Sequence, residues 1–539
     1  MKKVRLTLLL TIAAIANIHG QGYNMELLGQ LPFDQECSDI TSFFQDGREF
    51  AVVGLYNGSA FVDVTDPENP FEVNRISGSN SIWRDLKYWN RHVYIGTEAN
   101  DGVQVISVDD PDNPILVNVI DDFTNSHNVQ IADGFLYIVG AATHNLWIYD
   151  LTDPANPELA GTWDQEYIHD LHVYNNKAYC AAVYSSSIYI LDVTDKGAIN
   201  ILTSWSYDGK AHDCTVTSDE TILITGDEMV GGQIKIWDIA DYDNIQFLGE
   251  FMVDPAHTVH NVYNIDNLVY CSYYADGTRV IDISIPEYPI EVGYYDTSEL
   301  EGLYVGNWGV DPFLPSGNII SSDIENGLFI TRLTGLSIIH DPVTDVSLED
   351  NNYPLEVSIR SFSGEVTSAI VFYRLLGVDD ESWFSISLSE EDDGMYYGEI
   401  PGQKLGTVIQ YYIFVINEFN EEATFPESGI VDPIMFIVGN LPELFVEEFE
   451  TENDWTTDPE DDATSGIWVR DEPHPTYVGD IIVQPESDHT PDGNQCFITG
   501  NADSPYEPGL DDVDSGKTTL ISPVYDCSYY ERVILSYWR

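Results

Sequence analysis

The stretch that decides the fold is FVDVTDPENP at 61–70, because it returns. It comes back as VISVDDPDNP at 105–114, IYDLTDPANP at 148–157, LDVTD at 191–195, WDIAD at 237–241 and IDISIPEYP at 281–289, with a weak seventh version, FITRL, at 329–333. An apolar, Tyr-rich strand precedes each copy, as in EFAVVGLY at 49–56, FLYIVGA at 135–141 and LVYCSYY at 268–274. A further element precedes that strand: CSDI at 37, WRDL at 83, HNVQI at 127, HDLHV at 169, HDCTV at 212, HNVYN at 260 and NWGV at 307. A fourth follows each Asp-Pro turn, as in PELAGTW at 157–163. Asp39, Asp85, Asn128, Asp170, Asp213 and Asn261 mark a period of roughly 42 to 48 residues, the length of a four-stranded propeller blade.

A single four-stranded unit cannot bury both of its faces, so about seven of them must stack around an axis, over residues 24–335. The seventh repeat lacks a fourth strand of its own. MELLGQL at 25–31 matches the fourth-strand pattern and is predicted to complete that blade, closing the ring and removing two exposed sheet edges. The expected class is all-β, with a seven-bladed β-propeller first.

The repeated I-x-D-(V/L/I)-(S/T)-D-P phrase, with its paired His-Asp or His-Asn, resembles the LVIVD-repeat propellers. Residues 24–335 as a whole resemble the bacterial choice-of-anchor B family of exported proteins. The resemblance implies a propeller fold and a secreted or cell-surface location. It implies no defined reaction.

The bulk numbers agree with an exported all-β chain. The 539 residues exceed one ordinary core, and 43% hydrophobic content is enough to build several. A formal net charge of -70, from 91 acidic and 21 basic side chains, repels phosphate backbones and anionic lipid, which excludes nucleic acid as a partner. Such a surface attracts cations, calcium included. At the N-terminus a basic head, Met1-Lys2-Lys3 with Arg5, precedes the mostly apolar stretch Leu6 to Ile18, and Gly20 offers a small residue for cleavage. Residues 1–20 read as a secretory signal peptide, and no later stretch is long enough for a transmembrane segment. Cys180 and Cys271 occupy matching repeat positions and read as small buried residues, whereas Cys496 and Cys527 are a candidate disulfide.

From about Asp341 the repeat stops. Alternating strands such as LEVSIRSF and TVIQYYIFVINE predict an immunoglobulin or fibronectin-like sandwich over 341–439. Residues 441–539 resemble a jelly-roll, MAM-like module that breaks off inside a strand at Arg539 and reads as incomplete. Asp511, Asp512 and Asp514 in that module are weak calcium candidates, set against the plainer reading of an acidic turn.

Chemistry is expected at one end of the propeller channel. His127, His169, His212 and His260 fall at one place in four successive repeats, each followed by Asp or Asn (Asp170 and Asp213 in the middle two), and Arg84-Asp85 and Ser38-Asp39 stand there in the first two repeats. The first strand of each blade lines the channel, so these residues should ring its mouth, with Glu98, Asp227, Glu228, Asp276, Asp323 and Glu325 arriving on other loops. Converging imidazoles and carboxylates are a ligand set for zinc, copper or another divalent ion. The competing reading is structural: each ring bonds the neighbouring blade and holds its register, and seven blades spread equivalent positions too widely to share one ion. No catalytic residue is assigned, for G-x-S-x-G, H-E-x-x-H and phosphate-loop patterns are absent. Three functions follow: a secreted or surface interaction protein whose partner is an extracellular protein, a glycan or a small ligand; a metalloprotein or metalloenzyme using the histidines; and a calcium-stabilised adhesive protein.

Overall fold

A computed structural model describes residues 22–528, apart from 142–143, 345–350, 377–381, 393, 440–443, 452, 460, 479–480, 485–486, 489–492, 502–512 and 514–515. Strands and turns account for the regular structure, and no described residue is helical. The chain divides into two compact units, Gly20–Thr334 and Gly335–Arg539.

In the first unit the described strands form seven antiparallel sheets of the repeat's four strands, one of which gains a fifth from Gly22–Tyr23. The innermost strands are Cys37–Gln45, Arg84–Trp89, Asn128–Ala132, Asp170–Tyr174, Ala211–Val216, Val262–Ile265 and Asn307–Asp311. They follow one another in cyclic order, and the last packs against the first, so the sheets close into a β-propeller. Burial follows from that geometry. Second and third strands such as Arg48–Leu55 and Gly58–Asp63 are covered on both faces by neighbouring sheets and are buried almost throughout. Fourth strands such as Phe71–Ser77 and Ile115–Ile120 lie at the rim and are largely exposed.

The recurrent phrase has a local cause. Its first Asp (Asp63, Asp150, Asp192, Asp282) accepts a hydrogen bond from the amide two residues on. The second (Asp66, Asp110, Asp153) caps the turn, its carbonyl accepting the amide of Asn69, Asn113 or Asn156 and its carboxylate accepting that residue's side-chain amide at 2.8–3.0 Å. Pro fixes the backbone between them.

The predicted closure is present. Met25–Leu31 pairs antiparallel with Gly327–Leu333 and supplies the fourth strand of the last sheet. Polar bonds reinforce the seam: Asp311 accepts from the Ser42 amide at 2.6 Å and its hydroxyl at 2.8 Å, and the Cys37 amide donates to the Ile324 carbonyl at 3.0 Å.

In the second unit two sheets share one apolar core. One orders Leu336–His340, Tyr353–Ser361, Met395–Ile400 and Ser389–Asp392, and the other is built on Val366–Leu376 and Val408–Asn417. Val357, Val371, Ile413, Val415 and Phe436 are fully buried between them. Among the described residues beyond 443 there are three two-stranded ladders, such as Trp468–Asp471 with Cys496–Thr499. Cys496 and Cys527 are free thiols, so the candidate disulfide is not formed: Cys496 lies in a strand ladder, Cys527 in an irregular segment, and no bond joins them. Asp511, Asp512 and Asp514 lie outside the described residues.

Candidate functional site at the channel mouth

Equivalent residues of the inner strands form successive levels down the channel. The uppermost ring is Ser38, Arg84, His127, His169, His212, His260 and Trp308. The second is Asp39, Asp85, Asn128, Asp170, Asp213, Asn261 and Gly309. Two residues further along each strand come Lys87, His172, Thr215, Tyr263 and Asp311, with Thr41 and Gln130.

The four histidines form a continuous row. Ring centroids are 4.0 Å apart for His127 and His169, 4.3 Å for His169 and His212 and 4.4 Å for His212 and His260, and Trp308 extends the row 5.1 Å beyond His260. The expectation that a seven-fold ring spreads equivalent positions too widely is therefore corrected for neighbours. One donor atom from each of His127, His169 and His212 lies within 4.8 Å of the others, as does a set from His212, Glu228 and His260.

The members of the row differ in their bonds. Nδ1 of His260 donates to the Trp308 carbonyl at 2.7 Å, which is the register role expected of a structural histidine. His127 is held from outside by Glu98, whose Oε1 lies 2.6 Å from Nδ1. Nδ1 of His169 and of His212 is buried and makes no hydrogen bond of good geometry, and each ring is drawn to the backbone of the next residue in the row, His212 and His260 respectively, as His260 is to Trp308. Burial lowers the basicity of the inner rings and neighbouring imidazoles add to it: His169 is held well below its ordinary value, and His212 and His260 are pushed down to about 3. Neutral imidazoles such as His169 and His212 suit a borderline metal ion.

Of the loop acids expected on this face, Glu98 and Glu228 reach the row, Glu228 standing 3.6 Å from His212 Nε2 and accepting from the Tyr274 hydroxyl at 2.7 Å. The others are engaged elsewhere: Asp227 with Tyr207 and Lys235, Asp276 with His257, Asp323 with Thr297, and Glu325 with the Gly306 amide. Arg84 turns its guanidinium to the backbone carbonyls of Leu55 and Ser79 and makes no bond to the histidines.

Beneath the row, burial raises the pKa of Asp39, Asp85, Asp170, Asp213 and Asp311, against the pull of Lys87. Lys87 Nζ lies 3.1 Å from Asp85 and 3.7 Å from Asp39. Burial opposes its charge, yet Asp85, Tyr263 and Asp39 hold its pKa well above the ordinary value. Sequence reasoning did not single out Lys87, Tyr263 or Asp311. The signal was available: each stands two residues after a ring position, on the same strand face.

The fold and the channel define a β-propeller protein. No family model matches the chain, and no curated protein matches it. Solved structures similar to it include the WD40 repeats of RRP9 (10% identity, TM-score 0.43, covering 57% of this chain and 97% of that one). The β-propeller domain of Cps50 (Swd1) from Myceliophteria thermophila is also similar (10% identity, TM-score 0.40, covering 57% and 98%). So is the computationally designed Ika8 protein (13% identity, TM-score 0.40, covering 57% and 99%).

Proposed function

We propose that the chain is an exported, surface-associated binding protein, and that its seven-bladed propeller presents a divalent transition-metal site, for zinc or copper, at the channel mouth. The observation that carries the metal is the approach of donor atoms from His127, His169 and His212 to within 4.8 Å of one another. The Glu98 carboxylate on His127 Nδ1 supports it, since a carboxylate behind a ligating imidazole orients the ring and raises its basicity. In this reading His260 keeps the register role and the partner is an extracellular protein, glycan or small ligand.

The LVIVD-repeat and choice-of-anchor B resemblance, the basic and apolar N-terminus and the charge of -70 support export. Among the described residues no helix is long and apolar enough to cross a membrane. The alternating strands of 341–439 support an immunoglobulin-like spacer behind the propeller, followed by the MAM-like module.

Metal analysis of the purified full chain tests the site. About one equivalent of zinc or copper, lost in His169→Ala and His212→Ala variants that keep the wild-type circular dichroism, is the expected result. Folded variants and a wild-type chain that all lack transition metal would remove the reading, and unfolding of both variants would assign the rings to structure alone.

A further inference from the structure

One histidine outside the row faces a carboxylate at each of its ring nitrogens. His257 lies in the loop that leads into the inner strand Val262–Ile265 and is buried. Its Nδ1 is 3.0 Å from both carboxylate oxygens of Asp276, and its Nε2 is 3.3 Å from Oε2 of Glu301. A carboxylate only accepts hydrogen bonds, and a neutral imidazole has one N–H to give. With that proton on one nitrogen, the lone pair of the other would point at the second carboxylate. The imidazolium, a donor at both nitrogens, satisfies the two together. The backbone fixes the ring's position: the His257 carbonyl accepts the amides of Gly231 and Gly232 at 2.9 and 3.3 Å, and its own amide donates to the Asp254 carbonyl at 3.1 Å.

The two carboxylates differ in what holds them. Asp276 is held by Arg279, whose Nε donates to its carbonyl at 2.7 Å and whose Nη2 lies 4.0 Å from its carboxylate. Glu301 is on the segment 298–305, and its side chain is 88% exposed. That segment is tied down at its flanks, where the Thr297 hydroxyl donates to Asp323 at 2.7 Å and the Gly306 amide to Glu325 at 3.0 Å. Between them Leu300 and Tyr304 are exposed. Tyr304 packs edge-on against Tyr274, with ring centroids 5.5 Å apart. Tyr274 in turn touches His260 and Trp308 and donates to Glu228. The segment therefore rests beside the His260–Trp308 end of the row, and the His257–Glu301 pair is an ionic tie to its middle.

We propose that His257 is a proton-operated latch: its imidazolium bridges Asp276 and Glu301 and holds the segment 298–305, with Tyr304, against that end of the channel mouth, and loss of the proton releases it. Burial opposes the charge, but Asp276, with Asp254 and Glu301 adding to it, outweighs burial and holds the His257 pKa above its ordinary value. Arg279 is the one cation named beside the group, and it faces Asp276 and Glu291. The sign follows. The tie is complete below about pH 6.5 and is lost as pH rises through the raised value, so acid closes the latch and alkali opens it. None of the imidazoles proposed to hold metal takes part.

Hydrogen–deuterium exchange of the full chain, kept in chelator, tests this, with the intrinsic exchange rate at each pH divided out. Protection of the 299–305 amides is expected to fall by about twofold to fivefold between about pH 6 and 8.5, the scale of an ion pair with one exposed partner. Glu301→Gln keeps the shape of a fully exposed side chain and removes its charge, so the fold is retained. In that variant the segment should be weakly protected at both pH values. A second readout is the titration of His257 in chain carrying ring-labelled histidine, its resonance identified by its loss in His257→Gln. It should titrate above about pH 6.5 in wild type and at lower pH in Glu301→Gln. Protection of 299–305 that does not change with pH overturns the proposal, as does an equal change in Glu301→Gln or a His257 that titrates below its ordinary value.

Discussion

At the residue scale, the buried histidines make stability depend on pH in one direction. His212 and His260 stay neutral in the folded chain down to about pH 3, because burial withholds the proton that the unfolded chain takes up near pH 6.5. Their contribution is intact above pH 6.5 and is lost as pH falls toward 3, at up to about 1.4 kcal/mol per pH unit for each ring. The buried aspartates run the other way: their raised values favour the protonated folded form, so they weaken the fold as pH rises above about 4. Urea unfolding of the chelated chain between about pH 7 and 4 is expected to show a His-dependent slope that shrinks by about one proton in His212→Gln. An unchanged slope would mean that the ring is charged when folded. The His-Asp/Asn pair was legible in the sequence because it recurs at a fixed offset from a strong phrase. NWGV at 307 was placed as the seventh copy of that element, but the part Trp308 and Gly309 play in the row was not legible, since neither shares chemistry with the pair it replaces. Nor was the reach of Glu98 and Glu228, as opposed to Asp276 and Asp323, because loop conformation decides it and the repeat does not encode loops.

At the element scale, the fourth strands show how neighbouring sheets are spaced. Gly161 sits at the bulge of its rim strand, where a Cβ would fall onto the Lys196 carbonyl oxygen of the next sheet's turn, and Gly29 and Gly249 meet Pro67 and Pro286 in the same way. The obstacle is backbone, so it cannot swing aside. Gly161→Ala is expected to lower unfolding free energy by about 1–3 kcal/mol, whereas Gly197→Ala, whose Cβ would meet only Asp195 Oδ1 at an ordinary contact distance of 3.5 Å, should cost about 0.5 kcal/mol or less. Chemical denaturation of the two variants checks this, and equal costs would refute the packing account. MELLGQL was readable as a fourth strand from the same Leu-x-Gly pattern. The exposed leucines and phenylalanines of these strands, such as Leu159 and Phe247, were not readable as exposed. Their alternation is that of a buried strand, and only their place at the rim uncovers them.

At the scale of the molecule, 91 acidic against 21 basic side chains make self-repulsion a standing load on the fold. Ion pairs relieve it locally, as where Arg75 meets Asp34 and Glu72, but there are far too few cations to do so throughout. Raising sodium chloride from about 0.01 to 0.5 M shortens the screening length several-fold and is expected to raise the melting temperature. A melting temperature that falls over that range would show that favourable pairs outweigh the repulsion. The architecture of the first unit was legible because repeats multiply a weak local signal. Residues 441–539 repeat nothing, and a single short strand there carries too little pattern to fix its partner.

The seam between Met25–Leu31 and Gly327–Leu333 also sets a clock. Roughly 300 residues separate the two strands, so at synthesis rates of about 5–20 residues per second the first strand made waits some 15 to 60 s for its partner to emerge. Throughout that interval the nascent chain holds an open, unpaired edge at each end, and the ring locks only when the newest strand meets the oldest.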